Sequence, residues 1–438
     1  MNVSIRYLSL LAILAITLTA CGAVPAAQPP TALPTSTAVS APTQAPITPA
    51  LTAAPAPTVA PTVAVLDAPV ANLTEGCVTD YNPEIDYFSE KVTLSDSVGW
   101  TIEYFNNYKV ITVLNPWRDA EEQFRYVLVQ CGTPPPADVG EAQVIEVPVQ
   151  SIVTMSTTQL PHLNTLGLLD RLVGVDSFQY ISTPAVVEKI EAGELVQIGS
   201  GAEVNVEQAI DLEPELIMTY GVGSPESDSH PKLLEVGLKV ALNSEYMESS
   251  PLGRAEWIKF TGAFFNREAA ATAAYGEIAS RYDKIAALAR TVSEKPTVFT
   301  GAPFQGTWYM PGGNSYVAKL FADAGADYLW ADDDSTGSQQ LSFEEVFERA
   351  QGADFWLNTS SWKSLADGLA ADERFAQFAA FQNGNVFNNN VRLNPNGGND
   401  YWETGVTNPD LVLADLIRIL HPELLPEHEL YFYQQLQP

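Results

Sequence analysis

Apolar residues in the C-terminal two thirds of the chain fall into short runs separated by amphipathic stretches. Strand candidates lie at 144–147, 152–155, 172–175, 195–198, 216–220 and 240–242, with helical pieces at 158–169, 185–191, 206–212 and 231–236. Strands buried on both faces and separated by helices predict a parallel sheet in a doubly wound lobe. The alternation resumes with strands at 297–300, 308–310, 328–330, 355–357 and 386–387, and helices at 315–324, 343–349, 372–378 and 409–420. Between the two sets, Ser250 and Pro251 suit the cap and first turn of one helix. Asn266 is expected to close it and to cap a second helix ending near Arg290, with Tyr275, Ile278, Tyr282, Ile285 and Leu288 on one face. The expected fold is α/β, with two doubly wound lobes (144–250 and 295–438) joined by one long helix in the connector 251–292.

Upstream the texture differs. Runs at 100–105, 109–114 and 124–130 are rich in β-branched and aromatic residues, with Asn106-Asn107 and Asn115-Pro116 as turns, so 71–140 reads as a small antiparallel β-rich unit. Residues 21–70 are almost entirely Ala, Pro, Thr, Val and Ser beyond Cys21 and Gly22, a composition that builds a semi-extended stalk and no core. Residues 1–20 hold one early cation, Arg6, then the apolar run Tyr7 to Leu18, too short for a comfortable membrane span. The run ends in Leu18-Thr19-Ala20-Cys21-Gly22, which resembles the bacterial lipoprotein signal. That resemblance implies cleavage before Cys21 and lipid on its sulfur. The chain would then be tethered to the extracytoplasmic face of the cell membrane.

Charge narrows the partners. Lys and Arg number 22 against 53 Asp and Glu, a net charge of −31, which repels nucleic acid and anionic lipid. With Cys21 taken by lipid, Cys77 and Cys131 remain. In an oxidising compartment they are expected to pair, with free buried thiols as the alternative. Neither has a second Cys or a His at ligand spacing, so no metal site is expected.

Two stretches echo each other: Val206-Glu207-Gln-Ala-Ile-Asp-Leu-Glu-Pro-Glu-Leu-Ile-Met and Ser342-Phe-Glu344-Glu-Val-Phe-Glu-Arg-Ala-Gln-Gly-Ala-Asp-Phe-Trp-Leu. Each is a short helix opening with a glutamate, then a turn and a buried strand. With 152–158, 165–175, Pro311-Gly312-Gly313-Asn314-Ser315 and Ala324-Gly325-Ala326, the set from Val144 onward resembles the substrate-binding lipoproteins of ABC importers for ferric siderophores, haem and vitamin B12. The resemblance implies a monomer without cofactor or catalysis, which holds an iron chelate or a corrinoid in the inter-lobe cleft. It would deliver that ligand to a permease and its ATPase. It also implies that Glu207 and Glu344 dock onto the permease, with Glu345 a rival for the second role. In such a cleft, Tyr180, Tyr220, Trp308, Tyr309, Trp362, Arg392 and Trp402 are the candidate ligand contacts, the rings stacking on planar ligands and the arginine meeting an anionic chelate. Tyr401 belongs to the same aromatic group. Ser156 and Thr157 could also offer hydroxyls. Few basic residues are available for a highly anionic siderophore.

A stalked extracellular hydrolase is the competing class. Its support is thin: G-x-S-x-G, H-E-x-x-H and phosphate-loop motifs do not occur, and Ser360-Ser-Trp-Lys363 matches S-x-x-K at chance frequency. The four histidines are scattered, with His162 near the expected cleft and His421 and His428 expected on the surface.

Overall fold

A computed structural model describes residues 69–200 and 203–438. The signal segment, Cys21 and nearly all of the stalk lie outside the described residues. Trp100–Tyr104 (β1), Tyr108–Val113 (β2), Phe124–Gln130 (β3) and Gln143–Val147 (β4) form a sheet in that order. The first three strands are antiparallel, but β4 runs parallel to β3 with Ile145 opposite Leu128. Two expectations change here: the unit is mixed, and the run at 144–147 completes it instead of opening the parallel sheet. Alternation of apolar residues reveals a strand but not its partner. Cys77 and Cys131 are disulfide-bonded, closing the segment that precedes β1 onto the end of β3.

The N-terminal lobe carries Ile152–Thr154 (β5), Leu172–Val175 (β6), Val196–Gln197 (β7), Leu216–Thr219 (β8) and Val240–Leu242 (β9). Their order is β7-β6-β5-β8-β9, all parallel. The chain leaves β5 toward one edge and returns to β8 on the other side, so ligand space is expected outside the carboxyl ends at this reversal. The N-terminal sheet is not an independent body. Trp100, Ile111, Tyr126, Leu128 and Ile145 share one core with Ile152, Leu216, Trp257 and Phe260.

Ser250 caps the helix Pro251–Ala255, accepting from the Gly253 N–H. Trp257–Ala263 follows, and Asn266 turns the chain at φ 53°. Asn266 does not cap the next helix, because its side chain is turned to Leu73, Lys109 and Gln130. Helix Glu268–Ala289, roughly 33 Å long, buries Ala271, Tyr275 and Ile278 in the N-terminal core and Tyr282, Ala286 and Ala289 in the C-terminal core. Leu288, expected on that face, is instead exposed.

The C-terminal lobe contains Thr297–Thr300 (β10), Trp308–Pro311 (β11), Asp327–Tyr328 (β12), Ser338–Leu341 (β13), Phe355–Leu357 (β14), Val386–Asn388 (β15) and Gln434–Gln435 (β16). The sheet order is β12-β10-β14-β15-β16, parallel except for β16. Strand β11 leaves this sheet and pairs with β13 as a separate antiparallel ribbon. His421 and His428 are not simple surface residues. His421 is buried with Nε2 3.2 Å from the Gly325 carbonyl, and His428 Nε2 lies 2.7 Å from Asp415.

Candidate ligand-binding cleft

The carboxyl ends of both sheets face a cavity of about 750 Å³. Thr157, after β5, and Tyr180, after β6, line it from the N-terminal lobe. The C-terminal lobe supplies the rest, from the ends of β10 (Thr300, Gly301), β14 (Asn358, Ser360) and β15 (Asn389, Asn390), and from Tyr309 and Trp402. Among the described residues lining it there is no Asp or Glu. In so acidic a chain that exclusion leaves the pocket to hydroxyls, amides, three rings and one cation, Lys363. The Lys363 ammonium forms no ion pair with a described carboxylate, although its field reaches exposed Asp367. Asn358 and Ser360 sit at φ 56° and 62°, a conformation that turns this loop toward the cavity. The Asn358 Nδ2 donates to Thr300 Oγ1 at 3.1 Å, while its Oδ1 has no protein partner among the described residues.

The aromatic candidates separate by strand parity. Tyr309 is 47% exposed and Trp308 0% exposed, since neighbours on β11 point to opposite faces. Trp308 packs among Phe299, Trp356 and Phe378, and its Nε1 donates to the Thr300 carbonyl. Trp362 is likewise core, 5.0 Å from Trp356 between ring centroids. Tyr180 and Trp402, at 53% and 50% exposure, do line the cavity. Tyr220 does not line it, and Tyr401 is buried. Arg392 is not available to neutralise a chelate: its Nε donates to Asp400 at 2.6 Å and its guanidinium lies over the Tyr431 ring. It shapes the loop that carries Leu393, Asn399 and Trp402 to the cleft.

That loop also joins the lobes. Glu403 accepts from the Ser182 N–H (2.8 Å), the Thr183 N–H (2.7 Å) and the Thr183 hydroxyl, while Asn394 Nδ2 donates to the carbonyls of Gln179 and Ile181. Burial outweighs these hydrogen bonds and pushes the Glu403 carboxyl up to about 7. His162 is buried against Thr261 and does not reach the cavity, and burial holds its imidazole down at about 3. Ser156 is turned to Thr158.

Ser360 and Lys363 both line the cleft but lie in a turn before the helix Leu365–Ala371, so no helical turn stacks the lysine over the serine. Asn358, Asn389 and Asn390 line the cavity although no sequence motif marks them. Their signal was instead polar residues directly after buried strands, as in Val386-Phe-Asn-Asn-Asn. Glu207 does not line the cavity and is exposed in the first turn of Val206–Asp211. Glu345 is tied back to Ser342 in a capping box, leaving Glu344 pointing outward with exposed Arg374 at 3.1 Å.

A family model described as "Periplasmic binding protein" matches residues 152–390. An uncharacterized lipoprotein of Methanocaldococcus jannaschii (MJ0878) is 26% identical over 402 residues, covering 84% of this chain and 94% of its own. A second from the same organism (MJ0872) is 28% identical over 328 residues, covering 72% and 80%. The crystal structure of a periplasmic binding protein from Veillonella parvula superposes with a TM-score of 0.50 at 13% identity, covering 74% of this chain and 98% of that one. At that identity the likeness speaks for the fold.

Proposed function

The chain belongs to the periplasmic binding protein family, a family of solute binders and not of enzymes, and on that premise we propose that it captures an iron chelate between its lobes and hands it to an ABC permease. The observation that carries this reading is the cavity, where Tyr180, Tyr309 and Trp402 are exposed from both lobes in a lining without carboxylates. Rings suit the flat or greasy surface of a chelate, and the amides suit its carbonyl oxygens. With Lys363 as the one cation of this chamber, a ferric siderophore of low charge fits better than a highly anionic one; cobalamin and haem are the alternatives. Lipid on Cys21 and the Pro-rich stalk would keep the binder beside its permease on the outer membrane face. The relatives named lipoproteins favour that arrangement. Glu207 and Glu344 are the docking carboxylates of this reading, one exposed on each lobe.

The test is a titration of the full chain, by tryptophan fluorescence and calorimetry, against ferrichrome, ferric enterobactin, haem and cyanocobalamin. One molecule of a chelate bound per chain without turnover is the expected result. Turnover of a bound compound, or binding of none, contradicts it. Glu207→Ala with Glu344→Ala is expected to keep ligand binding and stop uptake; unchanged uptake removes the docking role.

A further inference from the structure

The β2–β3 connection does more than close a hairpin. It lies outside the family match, yet it lines a chamber that adjoins the cleft. The Trp117 indole fills the space beside Gly221 and Gly223, where an added Cβ would sit 2.8 and 2.7 Å from the ring. It also packs against Phe124 and His230. The Pro116 carbonyl accepts from Ser244 Oγ at 3.0 Å and lies 3.4 Å from the Tyr246 hydroxyl. This segment is therefore held by the N-terminal lobe, and the next residue, Arg118, is aimed away from it. The Arg118 guanidinium lies on Gly337 of the C-terminal lobe, in the space a Cβ there would occupy.

A second chamber of about 370 Å³ opens at this point, lined by Arg118, Tyr246, Ser315 and Thr336 among others, and it shares Pro311 and Val317 with the main cavity. Arg118 makes no hydrogen bond or ion pair to a described residue. Glu248, the one carboxylate among the described residues lining this chamber, is already engaged. Glu248 accepts from the Val98 and Gly99 N–H groups and from Trp257 Nε1. Asp228 accepts from the Val222 and Ser224 N–H groups, and Glu245 pairs with Arg254. In a chain with 53 acidic and 22 basic residues, an exposed arginine left unpaired at a cavity is a site for an outside anion. Its planar fork matches a carboxylate or phosphate.

We infer that Arg118, delivered by the N-terminal sheet, forms an anion subsite in the second chamber, holding a carboxylate or phosphate arm of the ligand whose chelate occupies the main cavity. The N-terminal sheet is thereby a third wall of the cleft and a determinant of specificity. This rests on the reading of the cleft as the binding site, but its test is independent of iron and of ring-bearing ligands.

The probe is citrate without metal, titrated into the full chain by calorimetry at low ionic strength, where screening is weak. Wild-type protein is expected to bind citrate, Arg118→Ala to lose at least fivefold in affinity, and Arg118→Lys to fall between. Arg418→Ala, a distant surface change, is expected to match wild type. Citrate affinity unaltered by Arg118→Ala, or no citrate binding by wild type, overturns the subsite. Citrate binding that depends on Arg118, in a protein that binds no chelate of the earlier panel, upholds the subsite while the chelate reading falls.

Discussion

Two interfaces of this molecule treat charge in opposite ways. Where the N-terminal sheet meets the first lobe and the long helix, charged groups are buried and paired. Lys109 is fully buried and bonds Asn266 and Glu268, and Glu268 also accepts from Asn72. Glu256 accepts from the N–H groups of Ser95, Asp96 and Ser97 and from Lys259. Where the two lobes face each other, the lining carboxylates are absent or engaged, and the cations Lys363 and Arg118 are left without ion pairs. Paired buried charge fixes geometry, because removing either partner strands the other. Unpaired charge beside open space keeps its capacity to bind. The same acidic composition thus serves architecture at one interface and is kept out of the way at the other.

The sharpest way to break the comparison is at the paired interface. Lys109→Ala leaves the Glu268 carboxylate buried and is expected to cost about 3–5 kcal/mol in denaturant unfolding. Lys109→Met with Glu268→Met is expected to recover much of that loss. Equal losses in the single and double variants would show that packing, not pairing, holds the sheet.

A second effect belongs to the contact between the lobes. The Glu403 pKa in the folded chain, about 7, lies above that of an unfolded glutamate. Its contribution to stability is therefore full below about pH 4.3 and is lost as pH rises through 7. The change is at most about 4 kcal/mol. Melting temperatures of wild type and Glu403→Gln, compared from pH 4 to 8, should diverge across that window. A constant difference contradicts the assignment. Glu256 runs the other way. Burial alone would raise it, but Lys259 and the three N–H groups hold its pKa below the usual range. Its contribution is present above about pH 4.3 and is lost as pH falls through the lowered folded value.

A smaller expected effect is motion. One rigid helix buried in both cores, with the Glu403 and Asn394 contacts across the lobes, predicts only slight closure on binding. Small-angle scattering with and without the bound chelate should give nearly the same radius of gyration, and a wide swing would contradict it.

The two lobes and the strut were legible from periodicity, since runs such as 152–155 and 355–357 are buried on both faces, while Ser250-Pro251 and Pro409 open the flanking helices Pro251–Ala255 and Pro409–Leu420. Other features depend on what lies across from a residue. Nothing in Lys109-Val-Ile-Thr marks the lysine as buried, because its partners Glu268 and Asn266 are more than 150 positions away. Trp308 and Tyr309 are equal candidates in the sequence, yet a strand sends adjacent residues to opposite faces, and only the ribbon with β13 decides which is wet. Trp362 and Arg392 failed for a related reason: Phe375 and Asp400 claim them. Glu344 and Glu345 are distinguishable only once the capping box has taken one. Arg118 was invisible as a site residue because its loop precedes the lobes and reaches the cleft through tertiary packing alone.

The account stands most directly on where the ligand sits. The decisive measurement is a calorimetric titration of the full chain and of Tyr180→Ala/Tyr309→Ala/Trp402→Ala with the tightest chelate of the panel, alongside Trp308→Phe. The account predicts one site in wild type and in Trp308→Phe, and none in the triple variant, whose exposed rings can be removed without lowering its melting temperature. Chelate bound equally well by the triple variant would contradict it.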